Sequence, residues 1–315
     1  YGGILMKLTI ALGGNAILQP GQDGTAEEQF SNVLSTSEQI GQLVNEGHEV
    51  VITHGNGPQV GNILIQQDKA RDSVPAMPLD VCGSQTQGFI GYMLQNSLHN
   101  VFAELGLDRN VATVVTQVLV DKEDSAFDNP TKPVGPFYDK DHADKMMEEK
   151  NEDWIEDSGR GWRKVVPSPI PERIMEAPII NDLVRNGEIV IASGGGGIPV
   201  VKEDNKIHGV EAVIDKDRAG CLLAEEIDSD IFLVLTDVSN AYINYGEEDE
   251  EAIGEISVED MEEHIEKGHF GEGSMKPKVQ AAVDFVENGG EMAIITSIEK
   301  VIEAVNGNAG TRITK

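Results

Sequence analysis

The chain has 315 residues, and 55 acidic side chains against 24 lysines and arginines leave a formal net charge of -31. Such a surface repels nucleic acid and anionic bilayers, because phosphate recognition rests on a basic stripe and counterion release. Wholesale disorder is excluded in turn, since 39% of residues are hydrophobic and apolar runs recur, enough for a sizeable core in one large domain or two lobes.

The acid excess is dispersed, which fits either an ordinary acidic protein or one adapted to high salt, where solvated carboxylates maintain solubility. The second reading is the expectation here, with folding and activity sensitive to molar KCl. Cys82 and Cys221 lie far apart with no C-x-x-C, so neither a disulfide framework nor a zinc knuckle is expected, which fits a reducing cytoplasm. No apolar stretch approaches the roughly 20 residues that a spanning helix needs. Residues 1–5 are too short and uncharged for a signal peptide, and Met6 reads as the native start with those residues added ahead of it.

In chain order, residues 6–12 form an apolar segment ending at Gly13-Gly14, a buried strand and a tight turn. A helix is predicted over 25–47, because Thr25 and Glu28 stand at capping-box spacing and Gly47 is a stop signal. Residues 50–53 read as the next buried strand, followed by His54-Gly55-Asn56-Gly57. Pro58 then opens a helix through Lys69, its fixed φ suiting a first turn. Residues 111–120, 188–192, 231–235 and 292–296 read as further strands. The second of these ends in Ser193-Gly194-Gly195-Gly196-Gly197 and the third at Thr236-Asp237. Helices are expected at 217–226 and 277–288. Residues 121–171 are rich in Pro, Gly and charge and read as an insertion or small subdomain, with nine acids between Asp139 and Asp157 as a solvated face. Ten acids between Glu247 and Glu263 suggest a loop leading into an exposed helix.

Alternating β and α units predict an α/β fold with a mostly parallel sheet and helices on both faces. Ligands then sit outside the carboxyl ends of the strands, where the glycine turns fall. Familiar phosphate motifs are absent: there is no G-x-x-x-x-G-K-[ST], and Gly55-Asn56-Gly57-Pro58-Gln59-Val60-Gly61 misses G-x-G-x-x-G by one residue. No histidine or cysteine cluster has metal-ligand spacing, and no G-x-S-x-G elbow occurs. One glycine turn could merely reverse the chain. Three of them at strand ends point to an anion site, since glycine lets backbone N–H groups approach a phosphate and a following helix adds partial positive charge. Lys132, Lys216 and Lys278 stand beside such turns, although each taken alone could be a solvated surface lysine.

The blocks Ala11-Leu12-Gly13-Gly14-Asn15-Ala16, His54-Gly55-Asn56-Gly57-Pro58-Gln59-Val60-Gly61, residues 78–92, Asn129-Pro130-Thr131-Lys132-Pro133, Arg160-Gly161-Trp162-Arg163-Lys164-Val165-Val166, residues 193–201, Glu211-Ala212-Val213-Ile214-Asp215-Lys216-Asp217, and Gly273-Ser274-Met275 with Pro277-Lys278 form a distinctive set. Together they resemble carbamate kinase, a branch of the amino acid kinase superfamily. The resemblance covers nearly all of residues 6–315. It implies a phosphotransferase with a carboxyl-type acceptor, reversibly converting ATP and carbamate to ADP and carbamoyl phosphate, and run toward ATP in arginine fermentation. The implied fold is a three-layer αβα sandwich, a cytoplasmic homodimer, as one domain over 6–315. Its carbamate lobe would span 6–220, its nucleotide lobe 221–315, and residues 121–171 would form a lid.

By that resemblance Lys216 and Lys278 hold phosphates from the nucleotide side, and Asp217 orients both. Gly13, Gly14, Asn15, Gly55, Asn56 and Gly57 cradle carbamoyl phosphate, and Ser193, Gly194, Gly195 and Gly196 close the carbamate pocket. Asp215, Thr236, Asp237, Tyr245, Gly273 and Met275 fall on the nucleotide side. Mg²⁺ would arrive with the phosphates, with no protein ligand assigned. Acyl-phosphate relatives such as N-acetylglutamate kinase carry a lysine two residues before the first glycine pair, where this chain has Ala11. The resemblance implies that Lys132 replaces that cation from the lid. Residues 84–85 and the tail at 306–315 depart from the branch pattern. Two other readings stay open: another acyl-phosphate kinase of the same fold, acting on an N-acyl amino acid or aspartate, and a catalytically silent nucleotide or phosphate sensor. Ala11 and the Lys132 block count against the first, and retention of the cations the chemistry needs counts against the second.

Overall fold

Leu8, Ile10 and Leu12 turn to one side of the first strand and Thr9 and Ala11 to the other, and all five are buried, so this strand has protein on both faces. The computed structural model describes residues 5–157 and 159–315, so all but Leu5 of the segment expected to precede the native start lies outside the described residues. The elements are β1 (Lys7–Leu12), α1 (Ala26–Asn45), β2 (Glu49–His54), α2 (Gly57–Ala70), α3 (Leu79–Leu105), β3 (Val111–Thr113), β4 (Gln117–Val120), β5 (Lys132–Tyr138), α4 (Lys140–Lys150), β6 (Asp153–Glu156), β7 (Trp162–Val166) and β8 (Pro171–Ile174). They continue with α5 (Ala177–Arg185), β9 (Ile189–Ile191), β10 (Ile198–Glu203), β11 (Lys206–Gly209), α6 (Lys216–Glu226), β12 (Ile231–Thr236), β13 (Tyr242–Ile243), β14 (Glu251–Ala252), β15 (Glu255–Ser257), α7 (Val258–Glu266), α8 (Met275–Glu287), β16 (Met292–Ser297), α9 (Val301–Val305) and β17 (Thr311–Thr314).

Among the described residues, eight strands form the central sheet in the order β15-β17-β16-β12-β1-β2-β9-β3. All its pairings are parallel except β16 with β17. Alternation along its inner strands splits the core. Leu8, Ile10, Val50, Ile52, Leu233 and Ile294 pack with α1, α3 and α9 on one face. Ala11, Phe232, Val234 and Ile295 pack with α6 and α8 on the other, and Val51 and Val190 join α5 and α6 beside them. Helices thus cover both sides of a mostly parallel sheet, giving the three-layer αβα arrangement. A second sheet (β11-β10-β4-β8) continues beside the first, and a small third sheet (β5-β7-β6) carries α4. That small sheet docks through Val134 and Val166 onto Val60, Leu79 and Cys82 at the starts of α2 and α3.

Local signals behave as their chemistry predicts. Thr25 and Glu28 close a reciprocal capping box on α1, the Glu28 amide reaching Thr25 Oγ1 at 3.2 Å and the Thr25 amide reaching Glu28 Oε2 at 2.9 Å. Pro58 lies in the first turn of α2.

Residues 111–120 do not form one strand. β3 closes the edge of the central sheet, and β4 starts the second sheet after a break at Thr116, whose amide and hydroxyl are drawn to Gln87 Oε1 and Val114 O. An unbroken run of β-forming residues carries no mark of that change of sheet. The last long helix begins at Met275 rather than Pro277, and the acidic 247–263 segment includes two short strands as well as the start of α7. The lobe boundary placed at 220/221 falls inside α6, which packs under β1 and β12 together.

Candidate functional site

Because β12, β1, β2 and β9 are neighbours and parallel, their carboxyl ends bring Gly13-Gly14, the His54–Gly57 turn, the Ser193–Gly197 turn and Thr236-Asp237 to one edge. The turns interlock there. Gly13 approaches the Leu235 carbonyl so closely that an added Cβ would sit 2.8 Å from it. A Cβ on Gly194 would overlap the His54 ring, and one on Gly195, where φ is +68°, would overlap the Asn56 amide. Ser193 itself is held at φ +54°. Its amide donates to Thr116 Oγ1 at 2.9 Å, and its carbonyl accepts from Thr53 Oγ1 at 3.1 Å. Asn56 is fixed by a 2.8 Å bond from its side-chain nitrogen to Thr86 Oγ1.

The three lysines converge on this edge from different elements. Asp215 caps α6, its Oδ1 accepting from the Asp217 amide at 2.9 Å, which starts the helix at Lys216. In the first turn of α6, Asp217 is 2% exposed and bridges two ammonium groups, with Lys216 Nζ 2.7 Å from Oδ1 and Lys278 Nζ, from α8, 3.2 Å from Oδ2. Lys132, from β5 of the small sheet, donates instead to Asp215 Oδ2 at 3.0 Å. Burial pushes the Lys278 ammonium below the usual lysine range and the Lys216 charge adds to it, only partly offset by Asp217. Burial alone would raise the Asp215 carboxyl, but Lys132 and the α6 amides outweigh it and hold it below its ordinary value. The His54 ring is buried and therefore neutral down to a pKa of about 4. Its Nδ1 bonds to Gly55 O at 2.9 Å, while its Nε2 and Ser193 Oγ have no hydrogen-bond partner among the described residues.

Beside this cluster opens a cleft of about 790 Å³, bordered by Gly13, Gly14, Asn15, Thr236, Asp237, Tyr242, Tyr245, Met275 and Lys278. It is large enough for a nucleotide. Lys278 and the first glycine turn therefore stand where the cleft meets the lysine cluster. Gly271 and Ser274 border the cleft but Gly273 does not, and Asp215 also lies outside its lining. Tyr245 is 64% exposed, on the rim.

The family model described as the amino acid kinase family matches residues 6–297. A carbamate kinase of Thermococcus kodakarensis is 54% identical over 99% of this chain and all of its own length, and one of Staphylococcus haemolyticus is 48% identical over the same shares. A solved carbamate kinase from Giardia lamblia, bound to AMP-PNP, superposes with a TM-score of 0.95 at 47% identity over 99% of both chains. The chain belongs to the amino acid kinase family, in its carbamate kinase branch.

In this carbamate kinase the sequence-derived lysines, Asp217 and the three glycine turns lie together. Two residues that hold the site were not singled out from sequence. Gln87, 2% exposed on α3, accepts from the Thr116 amide at 2.8 Å and donates to Gly194 O at 3.1 Å. Thr116 in turn holds Ser193. Gln87 stands within the 78–92 block, so its place there was the available signal. Its partners are backbone atoms 29 and 107 residues away, which no local pattern reveals.

Proposed function

We propose that this carbamate kinase transfers a phosphoryl group reversibly between ATP and carbamate, giving ADP and carbamoyl phosphate. We further infer that it works in the cytoplasm as a homodimer, in the ATP-forming direction of arginine fermentation. The observation that carries the reading is the buried Asp217 carboxylate holding Lys216 and Lys278 where the glycine turns meet the cleft.

A carbamate oxygen is already anionic, so its attack needs no general base. The new O–P bond forms as the bond from the γ-phosphorus to the β,γ-bridging oxygen breaks, and ADP keeps the electron pair. Position and charge neutralisation are what the protein must add. Lys216 and Lys278 would hold the phosphates from the nucleotide side, with Asp217 fixing both. Lys132 would reach the transferring group from residues 121–171, acting as a lid. Gly13 to Asn15 and Gly55 to Gly57 would cradle carbamoyl phosphate, and Ser193 to Gly196 would close the carbamate pocket. Tyr245 or Met275 would pack on adenine beside Thr236 and Asp237.

Mg²⁺ brought by the nucleotide supplies further neutralisation of the phosphates. Among the described residues no group of three or more His, Cys, Asp or Glu could hold a metal, and Asp215 and Asp217 are engaged by lysines. Asp237 and Glu299 border the cleft and would hold such an ion through its waters.

The test is ATP formation from ADP, Mg²⁺ and carbamoyl phosphate at low and high KCl. ATP is expected; none in either condition, or ATP only from N-acetylglutamyl phosphate, would overturn the reading.

A further inference from the structure

Residues 211–215 connect β11 to α6, and their burial alternates. Ala212 and Ile214 are 2% and 1% exposed, turned into the body, whereas Glu211, Val213 and Asp215 all meet the small sheet. Lys164 Nζ donates to Glu211 Oε1 at 2.5 Å. Val213 packs with Val134 and Val166, and its amide donates to Pro167 O at 2.9 Å. Lys132 Nζ donates to Asp215 Oδ2 at 3.0 Å. An extended segment places residues i, i+2 and i+4 on one side, so this segment is a seat with two carboxylates flanking an apolar contact.

The two lysines come from adjacent strands, β5 and β7, paired Lys132 with Val166 and Val134 with Lys164. One grips at the proposed reaction centre. The other does not border the cleft; it also bonds Glu152 Oε1 at 3.2 Å, beside the outer strand β6. Glu152, Lys164 and Glu211 thus tie the outer edge of the small sheet to the segment that leads into the catalytic helix. Despite its burial the Lys164 ammonium is held above the ordinary lysine range by these two carboxylates.

We propose that the Lys164–Glu211 pair is a latch that positions the lid and so sets how often Lys132 stands over the phosphoryl group. The inference rests on the carbamate kinase reading of Lys132. Both latch residues are positioning residues. The Glu211 side chain is 55% exposed, so the pair is weak enough to open and close. A ligand that binds only the closed form has its dissociation constant divided by the closed fraction, and saturating ligand restores closure.

Glu211→Gln is therefore expected to raise KM for carbamoyl phosphate by about two- to fivefold, the range of an exposed ion pair, while kcat, KM for ADP and the thermal midpoint stay at wild-type values. The ratio between variant and wild type should shrink as KCl screens the pair. Glu152→Gln leaves the latch bond in place and should keep the wild-type KM. Lys164→Met combined with Glu211→Gln should be no worse than either alone. Independently of turnover, residues 140–157 should exchange amide hydrogens faster in Glu211→Gln. An unchanged KM for carbamoyl phosphate, an equal rise in both KM values, additive single effects or unchanged exchange would each overturn the latch. Failure of the wild type to form ATP would instead overturn the functional reading, and leaves the exchange comparison as the test of the latch.

Discussion

Asp217 keeps two ammonium groups within hydrogen-bond reach, while Lys132 answers to a different carboxylate on the same helix turn. That separation lets Lys132 be removed without disturbing the clamp. Lys132→Ala is expected to lose at least about 2 kcal/mol of transition-state stabilisation, a drop of roughly thirtyfold or more in kcat for ATP formation, by analogy with losing one oxyanion donor. Turnover at the wild-type rate would remove Lys132 from the reaction centre. His54 gives a pH prediction. Its native pKa of about 4 lies below the roughly 6.5 of an unfolded histidine. Between those values the unfolded chain takes up a proton that the buried ring refuses, so stability falls as pH drops through this window, by about 3 kcal/mol in total. Urea midpoints at pH 7, 5.5 and 4.5 should show this slope flattened in His54→Gln; parallel slopes would mean that the ring titrates normally. The cations were legible because they are few and sit beside glycine turns in an acid-rich sequence. Gln87 was not, because a buried amide that bonds backbone looks in sequence like any other polar helix residue.

At the scale of elements, α1 meets α3 through a glycine. An added Cβ at Gly41 would overlap Val101 Cγ1 and lie 3.3 Å from Leu105 Cδ1. Alanine there gains up to about 1 kcal/mol of helix propensity, but the overlap falls on a stiff β-branched side chain in a packed interface, where overpacking costs about 1–3 kcal/mol. Gly41→Ala should thus be destabilised by chemical denaturation, and Val101→Ala added to it should restore part of the loss. A stabilised single variant would mean that the helices separate freely at this point. The same interface explains why strands and turns were easier to read than α3. The inner strands are short apolar runs punctuated by glycine, whereas α3 buries residues from Leu79 to Phe102 against several neighbours, which blurs the one-sided periodicity of an amphipathic helix. It also carries Gly83, Gly88 and Gly91 in its interior, residues that read as breakers. The change of sheet between β3 and β4 was hidden for a related reason: it is imposed by Gln87 from another element.

Across the whole molecule, the net charge of -31 is arranged outside the site. All ten acids between Glu247 and Glu263 are exposed, as are seven of the nine between Asp139 and Asp157, while Lys216 and Lys278 are 21% and 15% exposed at their side chains. Two of the three site lysines thus sit inside an acidic shell, whereas Lys132, on the small sheet, is 38% exposed at its side chain. Salt acts on this arrangement in two directions. It weakens surface ion pairs, but an exposed pair such as Lys267–Glu263 contributes only about 0–1 kcal/mol. It also screens the mutual repulsion of the acidic shell, because the Debye length shortens from about 10 Å at 0.1 M to about 3 Å at 1 M, and repulsion summed over so large an excess outweighs a few weak pairs. The lysine clamp on Asp217 is buried and is screened far less. The thermal midpoint is therefore expected to rise as KCl goes from 0.1 to 1 M, and to rise less in variants that replace exposed glutamates at 247–251 by glutamine. A midpoint that stays flat or falls over that range would show that the shell is not under electrostatic strain, and with it the high-salt reading of this chain would be lost.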